Sequence, residues 1–145
     1  MGQVDRVSVV IPTHNRFGIL SWALREIKHQ SLDFGLFEVI VVDDCSSDGT
    51  LEKLSVIETP YKLTVIGLDK NSGPATSRNR GAEKATGTIL LFMGDDCIPH
   101  RHMFWRHYYS HSVRHGEFSI QGYTEWHSSV IDEFALFLTN ASGLQ

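Results

Sequence analysis

The chain has 145 residues, 41% hydrophobic and 21% charged, with a formal net charge of −4. That length suits one domain with a substantial core, and the acidic balance leaves no electrostatic footprint for nucleic acid. No apolar run approaches the roughly 20 residues of a membrane span, and residues 1–6 lack the basic and apolar regions of a signal peptide.

Val7-Ser8-Val9-Val10-Ile11 reads as a first buried strand, stopped by Pro12. Residues 13–16 are polar and turn-like, and Asn15 can cap the helix that follows. Phe17, Leu20, Leu24 and Ile27 recur at helical spacing through Lys28. Residues 37–42 form a second buried strand ending in Asp43-Asp44. Ser46, Ser47 and Asp48 offer caps for a helix carrying Leu51, Leu54 and Ile57. Pro60 breaks that helix, and residues 62–66 give a third strand. Pro74 suits the first position of a helix that runs to Ala85 and is rich in small residues.

Residues 88–93 read as a fourth strand, buried on both faces, ending in Gly94-Asp95-Asp96. Beyond Pro99 the expected elements are a helix over 100–115, a strand over 118–123 and an amphipathic helix from Val130. Strands alternating with helices at this spacing predict an α/β fold: a three-layer α/β/α sandwich around a mainly parallel sheet. Right-handed crossovers then gather every strand's carboxyl end on one edge, where such sheets bind ligands. That edge collects residues 13–16, 43–48 and 95–96.

Two adjacent carboxylates repel, so a neighbouring cation is expected, most simply a divalent metal. By itself, Asp-Asp after a strand is also ordinary turn and capping chemistry. Cys45 and Cys97 lack metal-ligand spacing and read as small buried residues without a disulfide. The expected setting is reducing and cytoplasmic, extending to a peripheral place at the inner membrane face. His107, His111 and His115 share one helix face. That spacing can bind a transition metal, but a half-exposed polar face beside Trp105, Tyr108 and Tyr109 is the simpler reading.

No G-x-G-x-x-G follows the first strand and no G-x-x-x-x-G-K-[ST] occurs, which argues against dinucleotide-binding and P-loop sites. Four other motifs do occur, in order: residues 7–16 (VSVVIPTHNR), 39–50 (VIVVDDCSSDGT), 71–81 (NSGPATSRNRG) and 91–96 (LFMGDD). Together they closely resemble the nucleotide-sugar-binding half of the family 2 glycosyltransferases, which have the GT-A fold. The likeness runs from about Val7 to Pro99, with a weaker feature over residues 122–126.

The resemblance implies one GT-A-like donor-binding domain, with residues 1–99 forming the nucleotide-sugar units and 100–145 starting the acceptor side. Pro12, Thr13 and Arg16 would line the nucleotide pocket. Asp43 would read the uracil ring as an acceptor, and Arg78 would lie near base and phosphates. Asp95 would face the ribose, and Asp96 would hold Mg²⁺ or Mn²⁺ against the diphosphate. Asp44 and Asp48 read as structural. The donor implied is a UDP-sugar, with an acceptor that is a saccharide, lipid or protein, and transfer to its hydroxyl with inversion.

Two departures stand out. Gly94 takes the first place of the D-x-D or D-D-D metal motif. The family's acidic catalytic base lies well downstream, in a region expected to fall beyond Gln145, and Asp132-Glu133 lacks the surrounding motif, so no base is assigned. The alternative is a catalytically incomplete nucleotide-sugar-binding module. Apolar surface left by the missing half predicts self-association, as a homodimer.

Overall fold

A computed structural model describes residues 5–114 and 116–125. The elements are β1 (Val7–Thr13), α1 (Phe17–Ile27), a 3-10 turn (Phe34–Leu36), β2 (Phe37–Asp43), α2 (Thr50–Ser55), β3 (Lys62–Gly67), α3 (Pro74–Lys84), β4 (Ile89–Phe92) and α4 (Met103–Ser112). The strands form one sheet in the order β3-β2-β1-β4, and each neighbouring pair is parallel.

Every residue of β2, and all of β1 except Pro12, is buried. This fits their β-branched composition and a sheet covered on both faces. On one face Val7, Val9 and Ile11 pack with Leu20, Leu24 and Ile27 of α1, Leu54 of α2 and Phe104 of α4. On the other, Val10, Ile40 and Val42 form a second cluster, and α3 lies over β1 there. Gly81 makes this approach possible: a Cβ at that position would stand 2.3 Å from Val10 Cγ1. Helices on both faces complete the three layers of a GT-A-type fold. α4 is docked by buried Gln30, which donates to His100 O (2.9 Å) and accepts from Phe104 N (3.0 Å).

Several elements differ from expectation, each for a local reason. β1 continues through Pro12 to Thr13. Thr13 O accepts from Asp44 N on the β2 side, whereas Val10 O accepts from Met93 N on the β4 side. Alternation therefore turns Pro12 towards β4, whose ladder with β1 ends at Val10, so its missing N–H forfeits no strand bond. Asn15 does not cap α1. Its backbone is left-handed (φ 53°), and its side-chain oxygen accepts from Ser47 N (2.7 Å) instead.

β4 is shorter than expected and buried on one face only. Ile89 and Leu91 point inward, while Leu90 and Phe92 are exposed, because on their face of the sheet α3 packs over β1 and β2 rather than over β4. Cys45 is exposed and Cys97 half-buried, correcting the reading of both as buried; both are free thiols. Residues 118–123 form no strand. The helix expected from Val130, with Asp132 and Glu133, lies outside the described residues.

At the amino end of the sheet sits a buried acid. Glu38 accepts from Ser8 Oγ (2.8 Å), Thr86 N (2.7 Å), Thr86 Oγ1 (2.8 Å) and Lys62 Nζ (2.6 Å). Burial alone would raise its pKa. The bonds from Lys62, Thr86 and Ser8 outweigh that and lower it from 4.5 to about 2. A lowered folded-state pKa stabilises the protein above the unfolded value and is lost as pH falls towards 2. Urea titrations should therefore show the midpoint falling progressively below pH 4.5. Glu38→Gln should cost roughly 1–3 kcal/mol at neutral pH and flatten that acid limb.

Candidate functional site

The chain reverses its direction of travel across the sheet at β1. β2 and β3 are laid down on one side, and α3 then carries the chain back across to β4 on the other. A crevice is expected outside the carboxyl ends of β1 and β4, where the strand order switches. The polar residues predicted for this edge do meet there.

Thr13, the last residue of β1, is buried and donates from Oγ1 to Asp95 Oδ2 (2.8 Å). Arg16, one turn on, places Nη1 3.1 Å from Asp95 Oδ1 and Nη2 3.2 Å from Asp96 Oδ2. Both oxygens of buried Asp95 are thus engaged, while the Asp96 side chain is 57% exposed. The guanidinium fork suits such a bridge and neutralises part of the repulsion between adjacent carboxylates. Gly94 permits the arrangement, since a Cβ there would lie 2.6 Å from Asp96 Oδ1.

Asp43 lies opposite Thr13 in the β1–β2 register and is buried. Its carboxylate accepts from Ser46 N (3.2 Å) and from Ser46 Oγ. Ser46 Oγ in turn accepts from Asn15 N (2.8 Å), joining the loops after β1 and β2. His14 strengthens the joint: Nδ1 donates to Asp44 O (2.8 Å), which leaves Nε2 to accept from Asn15 Nδ2 (3.0 Å) and Asn71 Nδ2 (3.2 Å).

Asp44 is structural, as expected. It is buried and accepts from Ser72 N and Gly73 N, each at 2.7 Å, clamping the entry to α3 onto the end of β2. Asp48 accepts from Thr50 N (3.0 Å) at the start of α2. Arg78 sits half-buried on α3 and forms no ion pair with the described residues. Pro12 is half-buried opposite Val42.

Beside this cluster, α1 and residues 95–98 enclose a cleft of about 360 Å³. Its walls are Ile19 and Trp22 of α1, with Asp95 and Asp96 at one end. Sequence reasoning missed these α1 residues; it placed His14 and Ser46 on this edge without foreseeing that they join the loops after β1 and β2. The cue for Trp22 and Ile19 was available: both fall off the Leu20–Leu24–Ile27 stripe, which leaves large apolar groups on the outer face of α1. The histidine face is less open than expected. His107 is buried, which together with the nearby His111 lowers its pKa, and His111 stacks on Phe118 at 4.7 Å. Among the described residues no group of three or more His, Cys, Asp or Glu side chains is placed to hold a metal.

A family model described as "Glycosyl transferase family 2" matches residues 8–122. Glycosyltransferase AglE of Haloferax volcanii is 36% identical over 96 residues, which are 66% of this chain and 32% of that protein. The poly(ribitol-phosphate) beta-N-acetylglucosaminyltransferase TarS of Staphylococcus aureus is 36% identical over 92 residues, 63% of this chain and 16% of TarS. Among solved structures, S. aureus TarS 1-349 in complex with UDP superposes with a TM-score of 0.66 at 32% identity, covering 70% of this chain and 30% of that one. The mannosyltransferase PcManGT from Pyrobaculum calidifontis, in complex with GDP-Man and Mn²⁺, gives 0.62 at 29% identity, covering 68% and 30%. The chain spans about a third or less of the length of these relatives.

The Asp44 clamp can be tested independently of any ligand. Asp44→Ala strands two backbone N–H groups at the mouth of α3. It should lower unfolding free energy by roughly 2 kcal/mol in chemical denaturation, with faster hydrogen exchange at Ser72 and Gly73.

Proposed function

The chain belongs to glycosyl transferase family 2, and on that premise we propose that the β1–β4 edge is the donor site for a nucleotide sugar, a UDP-sugar in the first instance. The observation that carries the reading is the convergence of Thr13, Arg16, Asp43, Asp95 and Asp96 at the switch point of the sheet. Each has chemistry to contribute there. Asp43 spends two acceptor sites on Ser46, and a carboxylate offers about four, so it can still accept the N–H of uracil. Pro12 and Thr13 form the floor beside it. Arg78, without an ion pair among the described residues, is available to phosphate oxygens. Asp95 holds Arg16 and faces the ribose side.

The residues present fit a divalent cation of one kind. Asp96 is a single exposed, hard oxygen donor, which suits Mg²⁺ or Mn²⁺ carried mainly by diphosphate oxygens and water. Such an ion would offset the charge on the departing nucleoside diphosphate. Transfer would proceed by attack of the acceptor hydroxyl oxygen on the anomeric carbon. The new C–O bond forms as the bond to the diphosphate breaks, with inversion, and the hydroxyl proton passes to a general base. Residues 1–99 carry the donor side in this reading, and 100–145 begin the acceptor side.

A second reading, a binding module that turns nothing over, is favoured by one observation. Of the carboxylates lining the cleft, Asp95 is fully engaged and Asp96 is assigned to the cation, so neither is free to serve as base.

Calorimetry with UDP, GDP and Mn²⁺ tests the donor site. The expected result is UDP binding that Asp43→Asn weakens about tenfold, the equivalent of roughly 1.4 kcal/mol. A folded chain that binds neither nucleotide sinks the proposal. Metal-dependent release of labelled sugar from its donor would exclude the binding-only reading.

A further inference from the structure

We infer that Arg16, bridging Asp95 and Asp96, fills part of the electrostatic place that a divalent cation would take, and that its Nη2 is handed from Asp96 to the donor diphosphate when metal and nucleotide bind together. The inference rests on the donor-site reading above and adds a coupling that the reading does not require.

The two ends of the Arg16 bridge are unequal. Towards Asp95 the guanidinium meets a buried carboxylate whose other oxygen is fixed by Thr13. Towards Asp96 it meets an exposed carboxylate at 3.2 Å, whose other oxygen accepts only a long contact from Cys97 Sγ (3.9 Å). The first arm is an anchor and the second is exchangeable. The local charges are Asp95 (−1), Asp96 (−1) and Arg16 (+1), which sum to −1. Gly94 adds no carboxylate to that sum.

A divalent ion arriving alone at Asp96, whether it takes Oδ1 or displaces Nη2 from Oδ2, shares the carboxylate with the guanidinium. Two cations a few ångströms apart in a partly buried site repel each other appreciably. A diphosphate removes that conflict, because its oxygens can take the freed Nη2 and ligate the ion at once. Metal alone should bind weakly, nucleotide should strengthen it, and by linkage metal should strengthen nucleotide by the same factor.

The test is Mn²⁺ calorimetry without and with saturating UDP, on the wild-type chain, Arg16→Gln and Arg16→Lys, with circular dichroism confirming the fold of each. For the wild type, UDP should tighten Mn²⁺ binding by on the order of fivefold or more. Arg16→Gln should bind Mn²⁺ alone more tightly than the wild type and gain less from UDP. Arg16→Lys keeps the charge and should keep most of the coupling.

If Arg16→Gln does not fold, the Arg16 Nε–H resonance of the wild type gives the same information. It should move when Mg²⁺ and UDP are added together, and an unmoved resonance overturns the inference. A wild type that binds no Mn²⁺ even with UDP fells the metal-assisted donor site, and the handover with it. A wild type that binds both, matched by Arg16→Gln in both titrations, overturns the handover alone.

Discussion

The reversal of strand order at β1 is the constraint on which the rest of this edge depends. β1 pairs with β2 through Thr13 but with β4 only through Val10. The chain leaving β4 is thus released early and wraps across the end of β1, which brings Asp95 to Thr13. That route requires α3 to cross β1 closely. A side chain at Gly81 would meet Val10 and lift the helix, along with the entry loop that Asp44 grips. Packing on one face of the sheet therefore sets the position of polar groups at its edge.

The edge concentrates acids, and the fold satisfies them in two ways. Asp43, Asp44 and Asp48 are met by backbone N–H groups and hydroxyls, and none forms an ion pair among the described residues. Such bonds cost little to arrange in loops whose N–H groups need acceptors in any case. Asp95 and Asp96 differ, for they share a guanidinium. The division separates acids met by neutral donors from acids met by a charged side chain. At the opposite edge, Glu38 belongs with the first group despite its lysine. Lys62 is largely exposed, so solvent screens that pair, and Ser8 and Thr86 provide the fixed partners.

Much of this was legible in the residues. The apolar β-branched runs of β1 and β2 leave little choice but buried parallel strands, and the alternation of strands with helices gathers residues 13–16, 43–48 and 95–96 on one edge, where they meet in the structure. What escaped were choices between hydrogen-bond partners and the cover on one face of β4. Asn15 could cap its own helix or tie down Ser47, and only the approach of the second loop decides for Ser47. A proline at position 12 stops a strand whose N–H faces a partner, yet it is harmless where the ladder has already ended. Residues 89–92 read as buried on both faces because their composition matches β1, whereas burial depends on what packs over each face of a strand. Leu90 and Phe92 are exposed because α3 packs over β1 and β2 rather than over β4.

Gly94 shows how a departure from a family pattern can change meaning in three dimensions. Read along the chain, it is a missing carboxylate in a metal motif. In the structure, the space its Cβ would occupy is taken by Asp96 Oδ1, while Oδ2 of the same carboxylate meets Arg16. An aspartate at 94 would add charge and require the Asp96 carboxylate to shift. The glycine and the arginine bridge are two halves of one arrangement. Arg16 supplies, within the chain, part of the charge that neutralises Asp95 and Asp96.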